Sequence, residues 1–177
     1  MRRGKVNMRF SKAKEAAYRE LIEAAKKAAE LAYRPYSKYN VGAAVLTFDG
    51  TIYPGCNVEN CGYSQTVHAE ETAVCNAVAH GALKRALDAG LTQFDFIKAV
   101  AVHAPKGNDP WPCCNCRQFL NEFGVKFDII GEGPNGEILC KKLGKLIPNA
   151  FPMEEVLASV NGLPKPEAPK TVGRKKA

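Results

Sequence analysis

The chain has 177 residues, of which 46% are hydrophobic and 24% charged, a size and composition typical of one globular domain and not of a disordered chain. No apolar run reaches the roughly 18 residues of a membrane-spanning helix, so we expect a soluble protein with no membrane partner. The first 14 residues contribute +6 and residues 161–177 contribute +4 to a net charge of +7, which leaves −3 for residues 15–160 and argues against a nucleic-acid-binding core.

The first predicted element is a long helix near the start of the chain. Ser11 can cap it, and Pro35 is expected to stop it after about Arg34. Apolar residues recur within it at intervals of three and four, so one face of the helix is expected to lie against a core.

The later predicted elements alternate between strands and helices. Asp49-Gly50 predicts a tight hairpin turn, because glycine tolerates positive φ. Predicted strands cover residues 41–48, 51–58, 96–104, 127–130 and 138–140, and predicted helices cover residues 68–81 and 113–124. This order predicts an α/β fold with helices on both faces of one sheet.

Three segments follow from the charge and composition. We predict a basic N-terminal arm over residues 1–10, a catalytic domain over residues 11–160, and a disordered tail rich in Pro and Lys over residues 161–177. Binding of RNA or of a membrane surface by these ends, and a short transit peptide at the start, remain open beside the simpler prediction of solvated tails.

The cysteines favour a reducing compartment. There are seven of them, an odd number, and we identify no secretory signal. Such usage indicates free thiols, some of them on a metal, and not a disulfide framework. We therefore expect a cytoplasmic protein.

Two short strings carry the chemistry: H-A-E at residues 68–70 and P-C-C-N-C at residues 112–116. His68, Cys113 and Cys116 offer one imidazole and two thiols, which predicts a Zn²⁺ site with three protein ligands and a fourth position open to water. Both strings fall at predicted helix starts, whose N–H groups stabilise thiolates. The combined pattern H-x-E…P-C-x-x-C is a signature of zinc deaminases.

Glu70 is the predicted proton carrier of this site. A carboxylate beside the metal can take a proton from water and pass it to a leaving amine, as hydrolytic deamination requires. The alternatives are a solvated Glu70, like its neighbour Glu71, and a redox or simply buried C-x-x-C pair. Cys114 fits the spacing of the motif less well, and we expect it to be a bystander.

Four more strings resemble cytidine deaminases that act on free nucleosides. They are P-Y-S-K-Y-N-V-G-A-A at residues 35–44, G-C-N-V-E-N at 55–60, C-R-Q at 116–118 and L-I-P-N-A-F at 146–151. The resemblance extends over about residues 11–157. It implies a three-layer αβα sandwich around a five-stranded mixed sheet, and a zinc hydrolase of pyrimidine salvage that converts cytidine, deoxycytidine or both to the uracil nucleoside and ammonia.

The resemblance also implies how the nucleoside is held. Asn57 and Glu59 would bind the ribose through its 3′-hydroxyl, and Tyr39 would stack on the pyrimidine where the family has a Phe. Structural roles for these residues, in a turn, on the surface and in the core, are the alternatives. The implied assembly is a homo-oligomer, with a tetramer favoured over a dimer for a chain of this length.

The chain departs from the family it resembles at two positions. Short members have three Cys ligands and an Arg after the catalytic Glu, whereas here the first ligand is His68 and the next residue is Glu71. Two thiolates and a neutral imidazole balance the charge of Zn²⁺, so a nearby cation is not required. The second carboxylate, Glu71, is left unexplained. The string Q-T-V-H-A-E at residues 65–70 resembles instead the longer, dimeric members with a duplicated domain.

Other functions fit parts of the sequence. A cytosine deaminase acting on a polynucleotide also carries H-x-E and a Trp before P-C-x-x-C, and the basic ends suit it, but the acidic central region and the N-V-E string at residues 57–59 count against it. A deaminase of a modified cytosine nucleoside, such as a blasticidin-type antibiotic, stays open. A nucleotide deaminase would need a phosphate-binding cluster, and we identify none. From another class, a non-catalytic zinc module stays open.

Overall fold

The structure, a computed structural model, describes residues 10–105, 110–151 and Val156. The predicted tail, most of the predicted basic arm and residues 106–109 lie outside these residues. The helices are α1 Lys12–Glu30, α2 Ala69–Ala79, α3 Ala82–Asp88, α4 Cys114–Asn121 and α5 Leu143–Leu146. The strands are β1 Gly42–Thr47, β2 Ile52–Cys56, β3 Ile97–His103, β4 Asp128–Glu132 and β5 Ile138–Lys142, and a 3₁₀ turn spans Tyr63–Gln65.

The five strands form one mixed sheet in the order β2-β1-β3-β4-β5. β3 and β4 are parallel, and the other neighbours are antiparallel. The predicted hairpin joins β1 to β2, and Gly50 in its turn has a φ of 86°. Gly42 pairs with both Cys56 and His103, so the start of β1 and the ends of β2 and β3 lie at one edge of the sheet.

Alternate residues of the central strands face two separate cores. Ala44 of β1 and Ala101 of β3 pack with Leu21 and the rest of the apolar face of α1. Val45 and Val100, the neighbours of these strand residues, belong to a second core that contains the buried side chains of α2, α3, α4 and α5. Because successive side chains of a strand point to opposite faces, α1 covers one face and the other helices cover the second. The predicted three-layer αβα sandwich is confirmed.

Two glycines let the helices approach the sheet closely. A Cβ on Gly42 would lie 1.9 Å from the carbonyl oxygen of Ala25 in α1, and a Cβ on Gly55 would lie 2.3 Å from the backbone nitrogen of Ala73 in α2. Any larger residue would therefore push a helix away from the sheet. The contact at Gly55 holds the first half of α2 against the end of β2, and so places His68, which precedes α2, at that edge.

The first helix is shorter than the sequence predicts. α1 ends at Glu30, and the expected end at Arg34 is wrong by about one turn. The backbone of Tyr33 instead accepts a hydrogen bond from Glu59 and donates one to Asn57, at 2.8 and 3.1 Å. These tertiary hydrogen bonds hold the chain in an extended conformation that a helix does not permit. At the other end Ser11 caps the helix as predicted, with its side chain accepting from the backbone of residue 14.

Two short helices, α3 and α5, were not predicted, and α4 ends at Asn121 and not at Gly124. α2 ends at Ala79, in agreement with the predicted helix over residues 68–81, and the φ of 77° at Gly81 turns the chain directly into α3, whose residues Ala82 and Ala86 are fully buried. Within the described part of the chain, no helix is both long and apolar enough to cross a membrane.

Candidate metal centre and active site

The structure brings the three predicted metal ligands together. The Nδ1 atom of His68 lies 3.1 Å from the Sγ atom of Cys116 and 3.4 Å from that of Cys113. The two Sγ atoms are 3.5 Å apart. Among the described residues, this is the group of His, Cys and acidic side chains found close enough together to hold a metal ion.

Two helix starts create this cluster. His68 immediately precedes α2 and Cys113 immediately precedes α4, and both residues have the extended backbone of an N-cap. Cys116 lies in the first turn of α4 and is fully buried. The positive ends of both helix dipoles therefore point towards the cluster, which favours thiolates and an anionic ligand set.

These residues fit Zn²⁺ in both spacing and chemistry. Two ligand atoms on one tetrahedral zinc ion lie about 3.5–3.8 Å apart, given bonds of about 2.0–2.3 Å, and the observed separations agree within a few tenths of an ångström. Burial raises the pKa of the Cys116 thiol far above its ordinary value, and the neighbouring Glu70 carboxylate raises it further. Such a thiol becomes a thiolate only next to a cation, and Zn²⁺ provides one.

Glu70 lies beside the cluster and is almost completely buried. Its side chain is 4% exposed, and its carboxyl group is hydrogen-bonded to the Cys116 thiol. Burial raises the pKa of Glu70 above its ordinary value, while the hydrogen bonds it accepts oppose this shift without cancelling it. The alternative of a solvated Glu70 is therefore wrong, because water does not surround this carboxyl group.

Glu71, which the sequence left unexplained, bridges the two helix starts. One carboxylate oxygen accepts a hydrogen bond from the backbone N–H of His68 at 3.2 Å, and the other accepts one from the side chain of Asn115 at 2.6 Å. A glutamate three residues after an N-cap is a known capping pattern, and this signal could have identified its role.

Arg117 was also missed by sequence reasoning. Its guanidinium group donates to the carbonyl oxygen of Pro112 at 2.7 Å and to that of Leu146 at 2.9 Å. It thus fixes the segment that leads into the first thiol ligand. Gln118 of the same string accepts a hydrogen bond from the backbone N–H of Phe151 at 2.9 Å. The L-I-P-N-A-F string therefore contacts the C-R-Q string, which lies on α4.

A backbone pair brings the segment that contains two predicted nucleoside-binding residues next to a metal ligand. Val58 and Val67 exchange two N–H···O=C hydrogen bonds, at 2.9 and 3.0 Å. Asn57 and Glu59 flank Val58, and His68 follows Val67. The bridge is antiparallel, so Asn57 lies next to His68, whereas Glu59 lies next to Thr66 on the side away from His68.

The side chains of these residues hold the loop that contains Tyr39. The amide of Asn57 accepts from the N–H of Val41 at 2.8 Å and donates to the carbonyl oxygen of Tyr39 at 3.2 Å. Glu59 accepts from the backbone N–H groups of Tyr36 and Ser37, at 2.9 and 3.2 Å, and from the Ser37 hydroxyl. Tyr39 itself is 37% exposed and does not lie in the core.

Comparisons with known proteins agree with this geometry. Residues 15–132 match the family described as the cytidine and deoxycytidylate deaminase zinc-binding region. A cytidine deaminase of Sporosarcina psychrophila is 41% identical over 138 residues, which is 77% of this chain and 93% of that protein.

Solved structures give the same result. The crystal structure of a cytidine deaminase from Burkholderia pseudomallei shares 39% identity, with a TM-score of 0.61 over 76% of this chain and 98% of that one. The cytidine deaminase of Mycobacterium tuberculosis shares 34% identity, with a TM-score of 0.60 over 77% and 98%. The fold and the metal centre define a zinc-dependent hydrolase. This chain belongs to the cytidine and deoxycytidylate deaminase family.

Proposed function

We propose that this chain catalyses the hydrolytic deamination of cytidine, deoxycytidine or both, and releases the uracil nucleoside and ammonia. The observation that carries the proposal is the buried Glu70 carboxyl group next to the thiols and imidazole of a three-ligand metal centre. The relatives and solved structures described above, all named as cytidine deaminases, support the choice of nucleoside. No contact in the described residues favours a polynucleotide or an antibiotic substrate over it.

His68, Cys113 and Cys116 are the proposed zinc ligands, with His68 bound through Nδ1. When bound, zinc supplies Lewis acidity and lowers the pKa of water, so that hydrolysis proceeds near neutral pH. The two thiolates and the neutral imidazole balance the charge of the ion, which is why this centre can do without an Arg beside its catalytic Glu.

Glu70 is the proposed proton carrier. It takes a proton from water as the water oxygen bonds to carbon 4 of the cytosine ring, and it delivers that proton to ring nitrogen 3. It then moves the remaining hydroxyl proton to the exocyclic nitrogen, whose bond to carbon 4 breaks to release ammonia and leave the carbonyl group. A carboxyl group can serve in both directions only if neither protonation state is strongly disfavoured near neutral pH. Burial, which raises the pKa of Glu70, moves the group in that direction.

Asn57, Glu59 and Tyr39 are the proposed nucleoside-binding residues. The pairing of Val58 with Val67 supports this, because it puts Asn57 next to His68 and keeps Glu59 on the same short segment. A ribose hydroxyl would add to the donors that already reach the Glu59 carboxylate, and the Tyr39 ring would stack on the pyrimidine. Replacing Glu59 with Gln is expected to raise KM for nucleosides more than it lowers kcat.

We further propose a cytoplasmic homotetramer that acts in pyrimidine salvage. All seven cysteines lie within the described residues and none is joined in a disulfide, as a reducing compartment maintains them. Exposed apolar side chains lie in and beside the N-V-E string, and a patch of this kind is typical of a subunit interface. They are Tyr33, Tyr36, Val58, Tyr63 and Val67. Light scattering on the purified protein measures the oligomeric state directly, and a monomer would contradict the assembly.

The function is tested with a panel of substrates on the purified, zinc-loaded protein. Ammonia release is measured with cytidine, deoxycytidine, a cytosine nucleotide, a blasticidin-type antibiotic and a single-stranded oligonucleotide containing cytosine. We expect the free nucleosides to have the highest kcat/KM. Faster turnover of the oligonucleotide would overturn the proposal, and the same protein stripped of zinc is the negative control.

A further inference from the structure

The proposed zinc ligands come from two helix starts that are distant in sequence. His68 and Cys113 are 45 residues apart, and their helices must keep a fixed distance for both to reach one ion. Ordering ligands that are not in place before the metal binds costs free energy, and this cost lowers the affinity of the site. The contacts that join the starts of α2 and α4 therefore decide how well the site is preorganised.

Glu71 and Asn115 make such a contact. One oxygen of the Glu71 carboxylate binds the backbone N–H of His68, and the other binds the side-chain amide of Asn115, which lies between the two thiol ligands. The same carboxylate thus touches a ligand residue of α2 and the segment that carries the ligands of α4. Charge-assisted hydrogen bonds of this kind have about twice the strength of neutral ones.

The arrangement also explains how a second carboxylate is tolerated beside Glu70. Both oxygens of Glu71 face N–H donors and not the thiols, and they lie at the first turns of two helices, where the helix dipoles favour negative charge. Glu71 is therefore directed towards the backbone and towards Asn115, while Glu70 is directed into the metal centre.

We propose that Glu71 and Asn115 form a clamp between the starts of α2 and α4 that fixes the ligand geometry and slows the loss of zinc. Glu71 is a positioning residue and takes no part in proton transfer. This inference rests on the proposed assignment of His68, Cys113 and Cys116 as zinc ligands, but not on the identity of the substrate. Residues that hydrogen-bond to metal ligands or fix their position change metal affinity by about 10–100-fold when they are replaced.

The test measures the rate of zinc release from the zinc-loaded protein to a chromogenic chelator, and it needs no turnover. Replacing Glu71 with Ala, or Asn115 with Ala, is expected to accelerate release about tenfold, the lower end of that range, because Asn115 is exposed. The double variant is expected to release zinc no faster than the faster single variant, because both changes remove the same contact. Additive effects, or release at the wild-type rate, would overturn the clamp.

A sharper test changes the charge at position 115 and does not shorten a side chain. Asn115→Asp puts two carboxylates against each other, and it should release zinc faster than Asn115→Ala. A negative charge in the first turn of a helix is stabilising by itself, so helix stability alone predicts slower zinc release from Asn115→Asp than from Asn115→Ala. Adding Glu71→Gln should restore slow release, because the new amide can accept from the N–H of His68 and donate to the new Asp. Failure of this rescue contradicts the proposal.

Two controls separate the clamp from general effects. Glu71→Gln alone should release zinc within a few fold of the wild-type rate, since the Asn115 amide can turn its oxygen towards the new donor. Asn76→Ala removes a hydrogen bond of 2.9 Å from the middle of α2 to Pro54, far from the ligands, and should not change zinc release. If wild-type protein holds zinc but deaminates no nucleoside, the proposed function fails and the clamp can still be judged.

Discussion

Two buried carboxyl groups of this protein have pKa values that are shifted in opposite directions. Glu70 and Asp128 are 4% and 5% exposed, and burial by itself raises the pKa of both. The pKa of Glu70 stays raised, because burial outweighs the opposing effects of its hydrogen bonds and of His68, and Glu71 adds a like charge. The pKa of Asp128 is lowered, because hydrogen bonds from Tyr18 and two lysines outweigh burial.

The difference shows that the hydrogen-bond donors around a buried carboxyl group decide whether it stays ionised. Asp128 accepts from the Tyr18 hydroxyl and from the ammonium groups of Lys14 and Lys142, at 3.1 and 2.9 Å, which join α1, β4 and β5. Such a group stays ionised and stabilises the fold. Glu70 lies among few donors and can both accept and release a proton. Asp128 serves structure, and the environment of Glu70 suits the proton transfer proposed for it.

Replacing Glu70 with Gln is the strongest test of the different roles of these two carboxyl groups. The amide has nearly the same shape but carries no proton between water and the leaving amine, so we expect the deamination rate to fall by about 10²–10⁴-fold. Zinc content and the circular dichroism spectrum should match those of the wild type. Activity that survives this change would mean that Glu70 is not the proton carrier.

Asp128→Asn should lower stability and leave catalysis intact, the reverse of the effect of Glu70→Gln. It leaves two lysines and a tyrosine without a charged acceptor. We therefore expect the free energy of unfolding, measured by urea denaturation, to fall by about 2 kcal/mol. The kcat of the folded fraction should stay near that of the wild type, since Asp128 contacts none of the metal-centre residues. A large loss of kcat with unchanged stability would contradict the division between the two acids.

The smallest expected effect is the pH dependence of this stabilisation. A lowered folded-state pKa means that Asp128 stabilises the protein above its unfolded pKa of about 3.9, and that this contribution is lost as pH falls through the folded value. The difference in unfolding free energy between wild type and Asp128→Asn should therefore shrink below about pH 4. Urea titrations between pH 7 and pH 3 measure it, and a difference that grows towards low pH would show the sign to be wrong.

Much of the fold and of the site could be predicted from local sequence. The hairpin at Asp49-Gly50, the cap at Ser11 and the ligand strings depend on residues within a few positions of one another, and the sequence contains these in full. The end of α1 could not be predicted, because hydrogen bonds from Tyr33 to a segment more than 20 residues away decide it. α3 and α5 are short and gain their stability from tertiary packing, which a window of local sequence does not contain.

The sequence by itself determined which candidate ligands this protein offers and in what order, since one imidazole, two thiols and an acid two residues after the imidazole form the pattern of zinc deaminases. Only the tertiary structure decided what the consecutive acids Glu70 and Glu71 do. Neighbouring residues of a helix point about 100° apart, so each meets a different part of α4, which enters from 45 residues away. One carboxylate is buried against Cys116, and the other is held by His68 and Asn115.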